Sequence, residues 1–207
     1  MSSAPPRAAV VDRSVTGKRE ATKAANRAAI LAAARVVFAD IGFGAASVRD
    51  IIRRTDLATG TFYNYFPDKE SVLREILDET TIEIRVRVRA ARQDAASVED
   101  FVRNGFRAYF DYLAGDREML ELMSRNAGTI RAMFDEPAVG AGVEELRLDL
   151  ERGVADGILV AHDSELMAAA MVGAAVEVAI RLLNREPLDV EGPVELLTSV
   201  FAPGLGA

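Results

Sequence analysis

The chain has 207 residues, half of them apolar, with no cysteine and with 32 acidic against 25 basic side chains. That length allows one large domain or two small ones with real cores, and the apolar content excludes disorder of the whole. The lack of cysteine removes disulfide frameworks, thiolate metal sites and cysteine nucleophiles, and it fits a reducing, cytoplasmic setting.

The net charge of −7 alone argues against nucleic acid as a partner, but its distribution argues the other way. Residues 1–90 carry 15 basic and 11 acidic side chains, while residues 91–207 carry 10 and 21. A basic front and an acidic back point to a nucleic-acid-facing module joined to something else. The start MSSAPPRAAVVDRS has no apolar stretch behind a basic end, so it does not read as a signal peptide. The longest apolar run, Leu166 to Val176, breaks at Glu177, well short of the roughly 20 residues that span a bilayer. It reads as a buried helix, and no membrane partner is expected.

Residues 1–18 read as a flexible basic arm. Arg7, Arg13, Lys18 and Arg19 either follow a minor groove or only raise local positive charge. A first helix is expected over about 19–41, where Ile30, Ala33, Ala34, Val37, Phe38 and Ile41 recur at helical spacing, and Gly42 ends it. Ser47 and Asp50 resemble a capping box, so a short second helix starts there, with Val48, Ile51 and Ile52 inward and Arg49, Arg53 and Arg54 outward. Thr55-Asp56 makes a turn whose Asp tolerates positive φ. A third helix is expected over 58–66, ended by Pro67-Asp68.

A long helix follows from Lys69 to about Arg92. Its segment IEIRVRVR alternates as a half-buried strand would, yet helix is preferred: Glu83 and Arg87 form an i,i+4 pair and no second strand exists to pair with it. Further helices are expected near 97–114, 116–134, 137–157, 163–185 and 192–201, with Ser97, Asp116 and Asp163 as N-caps. The fold class is therefore all-α, with about nine helices.

Residues 47–66 form a helix-turn-helix. GFGAASVRDIIRRTDLATGTFYNYFPDKESVLREI, preceded by AILAAARVVFADIGF, resembles the N-terminal DNA-binding region of TetR-type transcriptional regulators over about residues 24–77. The T-F-Y-N-Y-F-x-x-K-E end is the most specific part of the likeness. Two positions depart from the family pattern: Asp56 stands where Gly is frequent, and Ala58 where a Ser often caps the reading helix.

The residues explain the dense aromatic cluster. Phe62 and Phe66, four apart, share a face and anchor the third helix on Ile30, Phe38 and Ile51. That leaves Thr59, Gly60, Thr61, Tyr63 and Asn64 on the arcs that can meet base edges in a major groove. Tyr65 and Lys69 lie where phosphates can be reached. The resemblance implies Tyr63, Tyr65 and Lys69 as backbone contacts, with Ser47 and Arg49 clamping the other side of the groove. Tyr63 and Tyr65 can also be half-buried packing residues.

The resemblance implies three domains or segments: the arm, a three-helix DNA-binding domain over 19–80, and a helical ligand-binding and dimerisation domain over 81–207. Phe106, Tyr109, Phe110, Met119, Met123, Met133 and Phe134, with Val102 and Leu122, supply the aromatics and thioethers of an apolar pocket or of plain core. Arg103, Arg107, Arg125 and Asn126 either hold an anionic ligand head or are surface groups. Ala169, Val172, Gly173, Val176 and Ile180, with Leu197 and Phe201 of the last helix, are candidates for a dimer face or for intramolecular core.

The implied function is a ligand-responsive regulator, a repressor that binds a pseudo-palindromic double-stranded DNA operator as a homodimer and releases it on binding a small apolar effector. A helical dimeric adaptor without sequence-specific DNA binding is the alternative. No enzyme, metal or cofactor is expected. The one histidine, His162, neighbours Asp163 and Ser164 at a helix start, where adjacent residues do not converge as a triad.

Overall fold

A computed structural model describes residues 13–93, 95–133, 137–182, 185–186 and 188–206. Among them are ten α-helices and no strand beyond one isolated bridge between Leu159 and Gly206. The all-α expectation holds.

The head consists of α1 (Arg13–Ile41), α2 (Val48–Ile52) and α3 (Thr59–Phe62). Helix α1 begins six residues earlier than its periodicity suggests, so Arg13, Lys18 and Arg19 are helical rather than part of an arm. Arg7 lies outside the described residues. Gly42, at φ +80°, closes the helix in the left-handed region that glycine tolerates. The Phe38, Ile30, Ile51 and Phe62 side chains are fully buried together, and Phe66 joins them with its ring 6.0 Å from that of Phe62. Burying such rings is what holds three short helices as one unit.

Helix α2 is capped as expected. Ser47 Oγ accepts from the Asp50 amide at 3.3 Å, and Asp50 Oδ2 accepts from the Ser47 amide at 2.9 Å. The Ser47 side chain and backbone, by donating to the carboxylate, hold Asp50 below the usual carboxylate range. The turn after α2 does not use positive φ at Asp56, because no described non-glycine residue has it. Thr55 Oγ1 instead donates to the Ile52 carbonyl at 2.9 Å and accepts from the Leu57 amide at 3.2 Å.

Helix α3 is shorter than the nine residues expected. Regular α-helix covers only Thr59–Phe62, and Tyr63 to Tyr65 continue as turns. Ala58 sits in extended N-cap geometry but supplies no side-chain acceptor. An uncapped start, a glycine in the first turn and a proline at 67 leave little to propagate the helix.

Helix α4 (Lys69–Gln93) runs straight through the expected boundary at 80/81 and joins the head to the helical domain. The alternating IEIRVRVR segment is helical, with Arg87 donating to Glu83 at 2.7 Å. Beyond it come α5 (Val98–Ala114), α6 (Arg117–Arg125), α7 (Ala127–Arg131), α8 (Pro137–Ala155), α9 (Ser164–Leu182) and α10 (Glu191–Leu205). Ser97, Asp116 and Asp163 accept from backbone amides three residues on, as expected of N-caps.

The single helix expected over 116–134 is two. Asn126 breaks it, and its side chain makes the reason visible. Nδ2 donates to the carbonyls of Phe38 (3.0 Å) and Leu122 (2.7 Å), while Oδ1 accepts from the Phe43 amide at 2.6 Å. Only 4% exposed, it stitches the end of α6 to the end of α1. Arg35 of α1 adds ion pairs with Asp116 and Glu118 at the other end of α6.

Candidate functional site

The residues expected to face DNA lie mostly at the surface of the head. Thr59, Gly60, Asn64, Ser47 and Arg49 are exposed, Tyr63 is 59% exposed, and Thr61 is half-buried. Arg53 is exposed as well, and Arg54 is paired with Asp40 at 2.5 Å. Beside α3, Lys18, Arg19 and Lys23 of α1 share an open groove with Asn64 and Tyr65. Lys23 was not singled out from sequence. Its signal was the i, i+4 spacing to Arg19 within the helix expected over 19–41, and Lys18 joins them because α1 extends back to residue 13.

Two expected phosphate contacts already have partners in the protein. Lys69 Nζ donates to the carbonyls of Phe43 (2.7 Å) and Ala46 (2.9 Å) and lies 4.5 Å from the Phe43 ring centre. Those bonds tie α4 to the α1–α2 turn and leave one ammonium proton free. The Tyr65 hydroxyl accepts from Asn26 Nδ2 at 3.0 Å and keeps its own proton for donation.

In the helical domain, α4, α5, α6, α8 and α9 enclose a largely apolar cavity of about 160 Å³. Phe106, Tyr109, Met119 and Met123 line it, as proposed from sequence. Phe110 does not; it is fully buried in the core behind. Met133 packs half-buried against the core and is not in the lining. Phe134 lies outside the described residues. Sequence reasoning missed Arg92, Arg85, Arg89, Glu145 and Asp149, the charged members of the wall, because α8 is brought over α4 only by tertiary packing. Arg85 and Arg89 both bind Glu145, the former at 2.7 Å.

The groups proposed for an anionic head are elsewhere. Arg107 makes a two-pronged bond to Glu191 (2.7 and 2.5 Å), and Arg103 pairs with Glu99 and Glu195, so both latch α5 to its neighbours at the surface. The Arg125 stem lies against Gly42. Asn126 is consumed by the stitch described above. His162 turns Nδ1 to the Val160 carbonyl at 2.7 Å, and Asp163 caps α9.

The candidate dimer residues divide. Ala169 and Gly173 are exposed, but Val172 and Val176 line the cavity, and Ile180 is half-buried near Met123 and Ile130. Leu197 is buried, and Phe201 packs on Phe106 at 6.0 Å between ring centres. On α9 and α10 the exposed large apolar residues are Leu166, Leu196 (54% exposed) and Val200 (59% exposed). Helix α10 carries apolar residues on two faces, and periodicity does not say which one turns inward.

A helix-turn-helix head on a long shared helix, followed by a helical body around an apolar cavity, defines a DNA-binding transcriptional regulator. Residues 30–76 match the model for bacterial regulatory proteins of the tetR family. That match covers the head, and over it the chain is similar to tetR-family transcriptional regulators. It is 27% identical to the transcriptional activator FasR of Mycolicibacterium smegmatis over 175 residues, 82% of this chain and 78% of that one. It is 31% identical to the transcriptional regulator RutR of Escherichia coli over 136 residues, 58% of this chain and 62% of RutR. In fold it resembles FadR of Bacillus subtilis, solved in complex with stearoyl-CoA, with a TM-score of 0.74, 21% identity and coverage of 85% and 97%. No described helix is long and apolar enough to cross a membrane.

Proposed function

We propose that the chain is a ligand-responsive repressor that binds a pseudo-palindromic operator in the cytoplasm as a homodimer and releases it when a small, largely apolar effector fills the cavity. Thr59, Gly60, Thr61, Tyr63 and Asn64 meet the groove, and Ser47, Arg49, Tyr65 and Lys69 meet the backbone. Lys18, Arg19 and Lys23 add to the electrostatic contact. Leu166, Ala169, Gly173, Leu196 and Val200 form the two-fold face, since exposed apolar and small residues on α9 and α10 are what a second copy would cover.

One observation carries the regulatory reading: a single helix touches both the cavity and the head. Met119 and Met123 of α6 line the cavity, and the same helix is bound to α1 through Arg35 at one end and Asn126 at the other. Helix α4 offers a second route, lining the cavity along its middle and starting at the head. A ligand that fits the cavity better in one head orientation shifts the population toward it. That FadR was solved with stearoyl-CoA supports reading the body of this fold as a ligand domain.

The test is fluorescence anisotropy with the DNA upstream of this protein's own reading frame, against random duplex, at two salt concentrations. Tighter binding to the upstream fragment, weakening as salt rises, is expected. Equal affinity for both duplexes, or indifference to salt, would leave only a helical adaptor.

A further inference from the structure

Two polar groups in the cavity wall have no partner in the protein. The Tyr109 hydroxyl and the Arg92 Nε–H are both closed off from solvent, both lack a hydrogen bond, and both residues line the cavity. Unpaired buried donors are destabilising, so a matched pair in one apolar chamber calls for an acceptor that arrives from outside.

Both groups are positioned by packing. The Arg92 guanidinium lies 4.6 Å from the Phe101 ring centre and against Gly105, where a Cβ would come within 2.6 Å of Nε. Only glycine leaves room for it. Asp149 stands 3.9 Å from a terminal nitrogen of Arg92, beyond hydrogen-bond reach, so Nε stays available. Burial lowers the Arg92 pKa to about 10 against the pull of Asp149 and Glu145, which leaves the side chain cationic at neutral pH. Burial raises the Tyr109 pKa, so its hydroxyl remains a donor.

Phe101, Gly105 and Tyr109 follow at four-residue steps and share a face of α5. Tyr109 is therefore about 6 Å along the axis from the glycine that seats Arg92. Both donors therefore belong to one stretch of the cavity wall, where a carboxylate offers an acceptor oxygen to each. The charges in the wall agree: Arg85, Arg89 and Arg92 face Glu145 and Asp149, which leaves one positive charge for a monoanion to neutralise. The volume of about 160 Å³ is close to that of an apolar cavity known to take benzene, and suits a body of about six to nine carbons.

We infer that the effector is a compact apolar monocarboxylate, an aromatic or medium-chain acid, whose carboxylate is held between Arg92 Nε and the Tyr109 hydroxyl. This rests on the ligand-responsive reading above and names the chemistry of its ligand.

The test is calorimetric titration of the full chain at neutral pH with phenylacetate and octanoate, each beside its neutral amide. The acids are expected to bind about tenfold or more tightly than the amides, with Arg92→Gln removing that preference. Tyr109→Phe is expected to weaken acid binding severalfold while leaving the Tm of the free protein unchanged or raised, because it deletes an unpaired buried hydroxyl. A merely structural tyrosine would give the opposite, a lower Tm with affinity intact, and that result overturns the inference. So do amides that bind as well as acids, or tighter binding of palmitate than of octanoate. Should Arg92→Gln fail to fold by circular dichroism, Tyr109→Phe and the acid–amide comparison decide alone. Acid binding absent while DNA binding is intact refutes this inference and spares the regulator; acid binding present without specific DNA binding does the reverse.

Discussion

In the head, Lys69 and Tyr65 find acceptors and donors within the protein, two carbonyls for the ammonium and Asn26 for the phenol. In the helical body, the Arg92 Nε–H and the Tyr109 hydroxyl are closed off from solvent and have no partner. The first arrangement fixes the position of side chains to which the proposed function gives a DNA contact. The second leaves donors that, in the inference above, a ligand carboxylate completes. For the switch proposed above, a head with paired donors and a body with unpaired ones are the useful contrast, because a ligand acts only through a difference between states.

Five changes break or sharpen that contrast, from the largest effect to the smallest. Phe62→Ala removes a fully buried ring from the centre of the head, and should cost about 3–5 kcal/mol in denaturant unfolding and abolish operator binding. If the body unfolded in the same transition, head and body would be one cooperative unit. Asn126→Ala leaves the Phe43 amide and Phe38 carbonyl without their partner, at about 2 kcal/mol. It should also reduce the effect of ligand on DNA affinity more than it reduces either binding alone, measured by anisotropy with and without effector.

The caps give an opposed pair. Ser47→Ala should cost about 1 kcal/mol by deleting the acceptor for the Asp50 amide, whereas Ala58→Ser should stabilise α3 by a similar or smaller amount, since Ala58 already has N-cap geometry. Thermal melts of both variants check the signs. The smallest effect concerns the cavity rim. Burial pushes the Glu145 carboxyl up, but hydrogen bonds from Arg85 and Arg89 outweigh it and hold the pKa below the ordinary glutamate value. A depressed value means stability that is present above the unfolded-state pKa and lost as pH falls through the folded one. Glu145→Gln should therefore lower Tm at pH 7 by an amount worth about 1 kcal/mol or less, and the gap from the parent should close on acidification.

The sequence by itself determined several local features of the head and of α4. Short-range rules set the Ser47 cap, the Gly42 stop, the pairing of Phe62 with Phe66 and the helical state of IEIRVRVR, because each depends on residues within one or two turns. It also made Phe106, Tyr109, Met119 and Met123 readable as cavity candidates by residue type. Only the tertiary structure decided which face of α10 turns outward, that Asn126 splits a helix to bind α1, that Lys69 has carbonyl partners, and that Arg92 lies beside Gly105 with a donor to spare. Those outcomes rest on contacts between residues far apart in the chain, and a helical period is the same whichever neighbour eventually covers it.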